Sequence, residues 1–160
     1  MKSLKTIILI AAMGIISYTT KGQKANNIPP AVLTAFSAKY PQAQLKHWKI
    51  KNNVCTASFA AANKKYIASY SADGTWISTV RNIRHVSSLP DQARMFLKKS
   101  YASWHIDNME RLRTPSQNVY QVEIDNDSGN KMHYEDAGSF EDYLLCFNDE
   151  GKLIKKIDNY

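Results

Sequence analysis

Glycine is scarce in this 160-residue chain: six occur, and two of them, Gly14 and Gly22, fall in the first segment. That leaves no glycine-rich loop to hold a phosphate on backbone N–H groups. Nor is any Ser or Cys flanked by glycine in the way a strained nucleophile turn requires. The two cysteines, Cys55 and Cys146, lie in the apolar, strand-like stretches VCTASF and YLLCF. An oxidising compartment would permit a disulfide, but the reading adopted is two buried thiols. Four histidines, His47, His85, His105 and His133, are scattered; none stands two or four positions from another His or a Cys. Zinc is therefore unsupported. Acids are almost missing from the first half, where Asp73 is alone between residues 23 and 88. Long apolar runs are missing after residue 16, so no later stretch would span a membrane. Together these absences argue against an enzyme and against any cofactor.

What is present begins with a targeting pattern. Lys2 and Lys5 precede the apolar run TIILIAAMGII, and small residues follow in YTTKGQ. Charged start, apolar core and small-residue site are the order of a secretory signal peptide. Residues 1–22 are read as that peptide, with cleavage after Gly22. The remaining 138 residues are one domain of ordinary size, expected to be periplasmic or secreted. Between residues 23 and 88 nine basic residues meet one acid, a balance of +8; between 89 and 160 nine basic meet thirteen acidic, a balance of −4. One reading is a solvated surface. The other is that the basic half meets an anionic partner.

Three blocks recur in the same order. NIPPAVLTAFSAKY (27–40) aligns with SLPDQARMFLKKSY (88–101), NVCTASF (53–59) with NVYQVEI (118–124), and YSADGTWISTV (70–80) with FNDEGKLIKKI (147–157). Each first block reads as a helix. Asn27 and Ser88 are the expected N-caps, and Ser88 with Asp91 has capping-box spacing. Pro29, Pro30 and Pro90 fall in first turns, where a missing N–H costs little. Leu33, Phe36 and Tyr40 form an apolar stripe, as do Ala93, Leu97 and Tyr101; Pro41 stops the first helix. KHWKIK, YQVEI and TWISTV then alternate with the period of a strand, and ADG and DEG supply hairpin turns with Gly at positive φ. The expected fold is α+β: a tandem repeat of one helix plus a three- to four-stranded antiparallel sheet. The copies would span 27–86 and 87–160, the second with an acidic insert. Each is too small to bury much core alone, so the two copies are expected to share a core.

This order of parts, and above all the aromatic-x-x-acid-Gly hairpins YSADGTW and FNDEGKL, resembles the secreted bacterial PepSY-like family, described as beta-lactamase-inhibitor-like. The resemblance covers about residues 28–158. It implies tandem helix-plus-sheet units, a location outside the cytoplasm, and binding or inhibition; fold analogy alone is a weak warrant for function.

Two groups of residues are candidates for binding. The first is the basic and aromatic set Lys46, Trp48, Lys49, Lys51, Tyr70 and Trp76, with Tyr66, Lys64 and Lys65 nearby. Such interleaving on strands can hold nucleic acid, but export removes that partner. An unidentified protein or an anionic envelope polymer takes its place, with the aromatic residues as anchors on an exposed sheet face. The second group lies around DNDSGN (125–130). A calcium loop needs Gly at position six and Glu at twelve; here Gly129 is at five and Glu135 at eleven, so a polar turn is the simpler reading. Asp125, Asp127, Glu135 and Asp136 remain as candidates for an irregular divalent-cation site. The expected function is thus an exported, non-enzymatic binding or inhibitor-like module. The alternatives are a periplasmic cation-binding or envelope-stress protein using the acidic insert, and an undetected hydrolase.

Overall fold

The structure is a computed structural model and describes residues 27–126 and 141–158. Helix α1 (Pro30–Lys39) leads into β1 (Gln44–Lys51), β2 (Val54–Ala61), β3 (Lys64–Ser71) and β4 (Trp76–Asn82). A short 3-10 turn, Val86–Ser88, precedes α2 (Asp91–Ser100), which leads into β5 (His105–Arg113), β6 (Asn118–Asp125), β7 (Asp142–Phe147) and β8 (Leu153–Asp158). Every strand pairs antiparallel with the next, and all eight lie in one sheet in chain order.

Local chemistry explains the close spacing of the strands. Asn52 and Asn53 have φ of 50° and 60°, and Ala62 and Asn63 have 46° and 58°. Two consecutive positive values make the tight turn whose twist matches right-twisted strands. Gly74 and Gly151 have φ of 89° and 85° in the β3–β4 and β7–β8 turns. The Asp73 carboxylate accepts the Thr75 N–H at 2.9 Å. The Asn148 side chain accepts the N–H groups of Glu150 and Lys152 at 3.1 and 2.9 Å. Asx hydrogen bonds of this kind fix a turn locally.

Both helices lie against the same face. Ile28, Val32 and Phe36 pack on Trp48, Cys55, Ala57, Phe59, Ala68 and Tyr70. Leu89, Ala93 and Leu97 pack on Met109, Tyr120, Val122, Ile124, Leu145 and Phe147. The sequence stripe in α1 is corrected at one position: Phe36 is buried and Tyr40 packs against the cluster as expected, but Val32 is buried in place of Leu33, which is 41% exposed. The capping expectation is also corrected. Pro29 and Pro90 occupy the N-cap positions, and no side chain caps either helix. Asp91 instead pairs with Arg94 one turn on, and Ser88 belongs to the 3-10 turn.

The expected fold class is overturned. The protein is mainly β: one continuous eight-stranded sheet with two helices, not two helix-plus-small-sheet copies around a shared core. Thr79 to Asn82 of β4 pair with Arg113 to Glu110 of β5 and close the gap between the halves. Two apolar clusters result, one under each helix, and they remain separate. The reason lies in the central strands, whose helix-side positions are Thr79, Arg81, Arg111 and Arg113. A shared apolar core would bury unpaired guanidinium groups there, at a cost far above what packing returns.

Both glycine turns rest on a helix. A Cβ at Gly74 would lie 2.7 Å from the Ala31 carbonyl oxygen, and one at Gly151 would lie 2.7 Å from the Ala93 nitrogen. Gly74→Val and Gly151→Val combine this overlap with backbone strain, so each should lower stability by at least about 1 kcal/mol. Denaturant midpoints of the two variants measure it; values equal to the parent's would remove these contacts as determinants of the fold.

Candidate functional site

The sheet has two faces of different character, because alternate residues of each strand point to opposite sides. The face away from the helices carries a row of directly paired residues: His47, Ser58, Ile67, Val80, Leu112 and Val119. Its central members are aliphatic. Ile67 is 45% exposed, whereas Leu112 and Val119 are buried, yet neither of these two belongs to a helix-covered cluster. On one side of the row runs Lys49, Thr56, Ser69 and Ser78. On the other runs Asn82, Glu110, Gln121 and Cys146. The Asn82 amide donates to Asn108 at 3.1 Å, and the Asn108 amide donates to Glu123 at 3.4 Å. Burial pushes the Glu110 carboxyl above its usual range, and the nearby Glu123 charge adds to the shift.

On the helix side the two apolar clusters leave a cavity of about 300 Å³ between them. The C-terminal end of α1 supplies Lys39 and Tyr40, β3 supplies Tyr66, β4 supplies Trp76, Thr79 and Arg81, and β5 supplies Arg111 and Arg113. The Trp76 indole N–H donates to the Thr79 hydroxyl at 2.9 Å, and Tyr40 and Thr79 share a hydrogen bond. Lys39 Nζ lies 3.7 Å from the Trp76 ring centroid.

These faces redistribute the residues singled out in the sequence. Lys49 and Lys51 are exposed on the open face, and Lys46 sits, also exposed, at the bulge between Leu45 and His47. Trp48 and Tyr70 are not exposed anchors: they are 6% and 0% exposed, packed beneath α1 with Phe36. Trp76 is half-buried on the helix side. Asp125 ends β6 opposite His105. It shares a hydrogen bond with Asp107, and this bond is the main reason the Asp107 carboxyl is raised. Asp127, Glu135 and Asp136 lie outside the described residues, as do the segment 1–22 and His133. Cys55 and Cys146 are free thiols, both buried and on opposite faces.

Sequence reading missed the aliphatic row and the arginines. The available signals were basic residues two apart in RLR (111–113), and aliphatic residues on both alternating sets of β4 and β5. A strand covered on one side only should keep them on one set.

A single antiparallel sheet in chain order with two helices over one face defines a class of small single-sheet modules. The profile of the family described as "Putative beta-lactamase-inhibitor-like, PepSY-like" matches residues 55–155, and the chain belongs to that family. Three solved structures are similar. One is a DUF2874 family protein from Bacteroides ovatus, at 22% identity and a TM-score of 0.66, over 81% of this chain and 87% of that one. A BLIP-like protein from Bacteroides fragilis has 20% identity and a TM-score of 0.66, over 89% of each chain. The third, from Bacteroides eggerthii, is described among "putative periplasmic proteins", with 15% identity and a TM-score of 0.64 over 81% of this chain and 88% of that one. At these identities the likeness establishes the fold. No curated protein matches the sequence.

Two measurements test the site's chemistry. The Tyr70 hydroxyl is buried with no hydrogen-bond partner among the described residues, and burial raises its pKa. Removing an unsatisfied buried group relieves its desolvation cost, so Tyr70→Phe should melt at or above the parent's temperature. A clear fall in the melting temperature would contradict this. For Glu110 the folded-state pKa is raised. Its protonated form favours folding at low pH, and that contribution is lost as pH rises through the folded value. Glu110→Gln should therefore raise the melting temperature at pH 7, with the gain shrinking as pH falls and vanishing below about pH 4, the ordinary Glu range.

Proposed function

We propose that this protein is an exported, non-enzymatic binding module that docks the exposed β1–β4 part of its sheet's open face onto an acidic protein surface in the periplasm. The observation that carries this reading is the exposed Ile67 beside half-buried Val80 on paired strands, outside both helix-covered clusters; buried Leu112 and Val119 continue the row and back it. An apolar centre with a polar rim is the anatomy of a protein–protein contact. The rim on the β1–β4 side carries Lys49 and Lys51 among hydroxyl groups, which suits a partner that brings carboxylates. Membership of a family described as inhibitor-like supports a binding role. A similar fold in a protein described as periplasmic, together with the absence of any membrane-spanning helix among the described residues, supports the location.

A photoreactive side chain at position 67, introduced in the native cell envelope, should cross-link to a single protein species. Ile67→Asp should weaken that capture by at least about tenfold, as loss of a central anchor does, with little change in melting temperature because the residue is exposed. Lys49→Glu with Lys51→Glu should weaken it most at low salt. Cross-linking to an envelope polymer only, or capture indifferent to Ile67→Asp, would overturn the reading.

A further inference from the structure

The cavity between the two helix-covered clusters holds a concentration of cations that the fold does not require. Arg81 stands directly opposite Arg111 across the β4–β5 ladder, and Arg113 stands opposite Thr79. Like charges facing each other across two strands are destabilising. Two of the four cations have local compensation. Arg111 pairs with Asp149 at 2.6 Å and lies 5.0 Å from the Tyr120 ring, and Lys39 lies over Trp76 in the last turn of α1, where the helix dipole favours a cation. Arg81 and Arg113 have no carboxylate partner among the described residues. Even Arg111 is incompletely satisfied: its Nε is buried and has no acceptor.

Among the described residues the cavity wall has no acid. The residues that complete it are Tyr40, Tyr66, Trp76 and Thr79. Thr79 is the only buried polar residue among the described ones, and its hydroxyl joins Trp76 to Tyr40. This fixes one wall of the cavity rigidly. A second hollow, about 460 Å³, adjoins the first and shares Arg81 as a wall; it adds Lys64, Lys65 and Arg84, again with no acidic residue among the described ones.

The geometry points to a binding site for a small polyanion with at least two oxyanion groups, phosphates or carboxylates, seated on Arg81, Arg111 and Arg113 with Lys39 closing over it. Guanidinium groups meet oxyanions through paired N–H bonds. One carboxylate would leave most of this charge unbalanced; a ligand with several charges balances it and removes the repulsion between Arg81 and Arg111. A cavity of about 300 Å³ is at the small end of ligand-sized sites. The hollow beyond Arg81 accepts the second group. Because the site lies on the helix side of the sheet, it stands independently of the docking face proposed above.

Calorimetric titration of the whole protein with pyrophosphate and with citrate, at low ionic strength and against a sodium chloride control of equal ionic strength, tests this. Saturable binding of either should appear, together with a rise in melting temperature. Pyrophosphate alone would identify phosphate as the source of the charge, citrate alone carboxylate, and both the shared oxyanion chemistry. Arg81→Gln and Arg113→Gln should each weaken binding by about tenfold or more. Without ligand, both variants should melt no lower than the parent, since each removes an uncompensated charge; Arg113, the exposed one of the pair, keeps the test available if Arg81→Gln folds poorly. Ile67→Asp should bind pyrophosphate and citrate as the parent does. Absence of saturable binding by both anions, or binding unchanged in both arginine variants, would overturn the proposal.

Discussion

Four backbone pairs, from Thr79 with Arg113 to Asn82 with Glu110, join β4 to β5, and the rest of the molecule is arranged around them. Without them the chain would contain two four-stranded sheets, each with one helix and one small apolar cluster. Domains so small bury too little surface for comfortable stability. The junction solves this through the backbone rather than through a common core. It makes one ladder in which each half extends the other and, among the described strands, leaves β1 and β8 as edges. The edges are guarded by charge: Lys46, Lys49 and Lys51 on β1, and Lys155 and Lys156 on β8. Exposed lysines on an edge strand discourage pairing with another chain, so part of the basic character of the first half has this ordinary structural use.

The junction also decides where polar groups can stand. Beneath each helix the sheet is aromatic and aliphatic. Phe36 meets Trp48, Phe59 and Tyr70 with ring centroids 5.2 to 6.4 Å apart, and Phe96 meets Phe147 at 5.7 Å. Between the helices no described element covers the helix side of β4 and β5, and Thr79, Arg81, Arg111 and Arg113 fill the gap. The same gap makes a cavity and prevents the clusters from merging. Structure and candidate function have one cause at this point, a pair of central strands whose helix-side positions are polar.

Much of the secondary structure was legible in the sequence. Pro30 at the start of α1, Pro41 after its end, the glycines at positions 74 and 151, and the period-two alternation of YQVEI are local signals, and local signals survive tertiary context; in TWISTV a bulge breaks the alternation and leaves Trp76 and Thr79 on the same side. What the sequence concealed was non-local. Nothing in residues 79–82 or 110–113 announces that they pair. Without that pairing, two compact copies around one core looked more economical than one broad sheet. Trp48 shows the same limit. An aromatic residue between lysines reads as an exposed anchor, but alternation puts the lysines outward and the ring inward, under α1. The charge count misled in a similar way. It divided the chain into a basic and an acidic half, whereas the cavity takes Lys39 and Arg81 from the first and Arg111 and Arg113 from the second.

Period-two alternation also explains how one thin sheet could carry two independent binding surfaces. β4 sends Thr79 and Arg81 to the helix side and Val80 to the open side; β5 sends Arg111 and Arg113 one way and Leu112 the other. Adjacent residues thus belong to different sites with a single layer of backbone between them. Side-chain substitutions on one face leave the other face's contacts in place, because their Cβ atoms point apart. Only a displacement of the ladder itself would be felt on both sides. The β4–β5 junction, with four paired positions against eight for β2–β3 and for β5–β6, is a short ladder at the centre of the sheet. An anion that neutralises Arg81 and Arg111 acts at that junction, where it would remove the main electrostatic opposition to the strand pairing on which the open face depends.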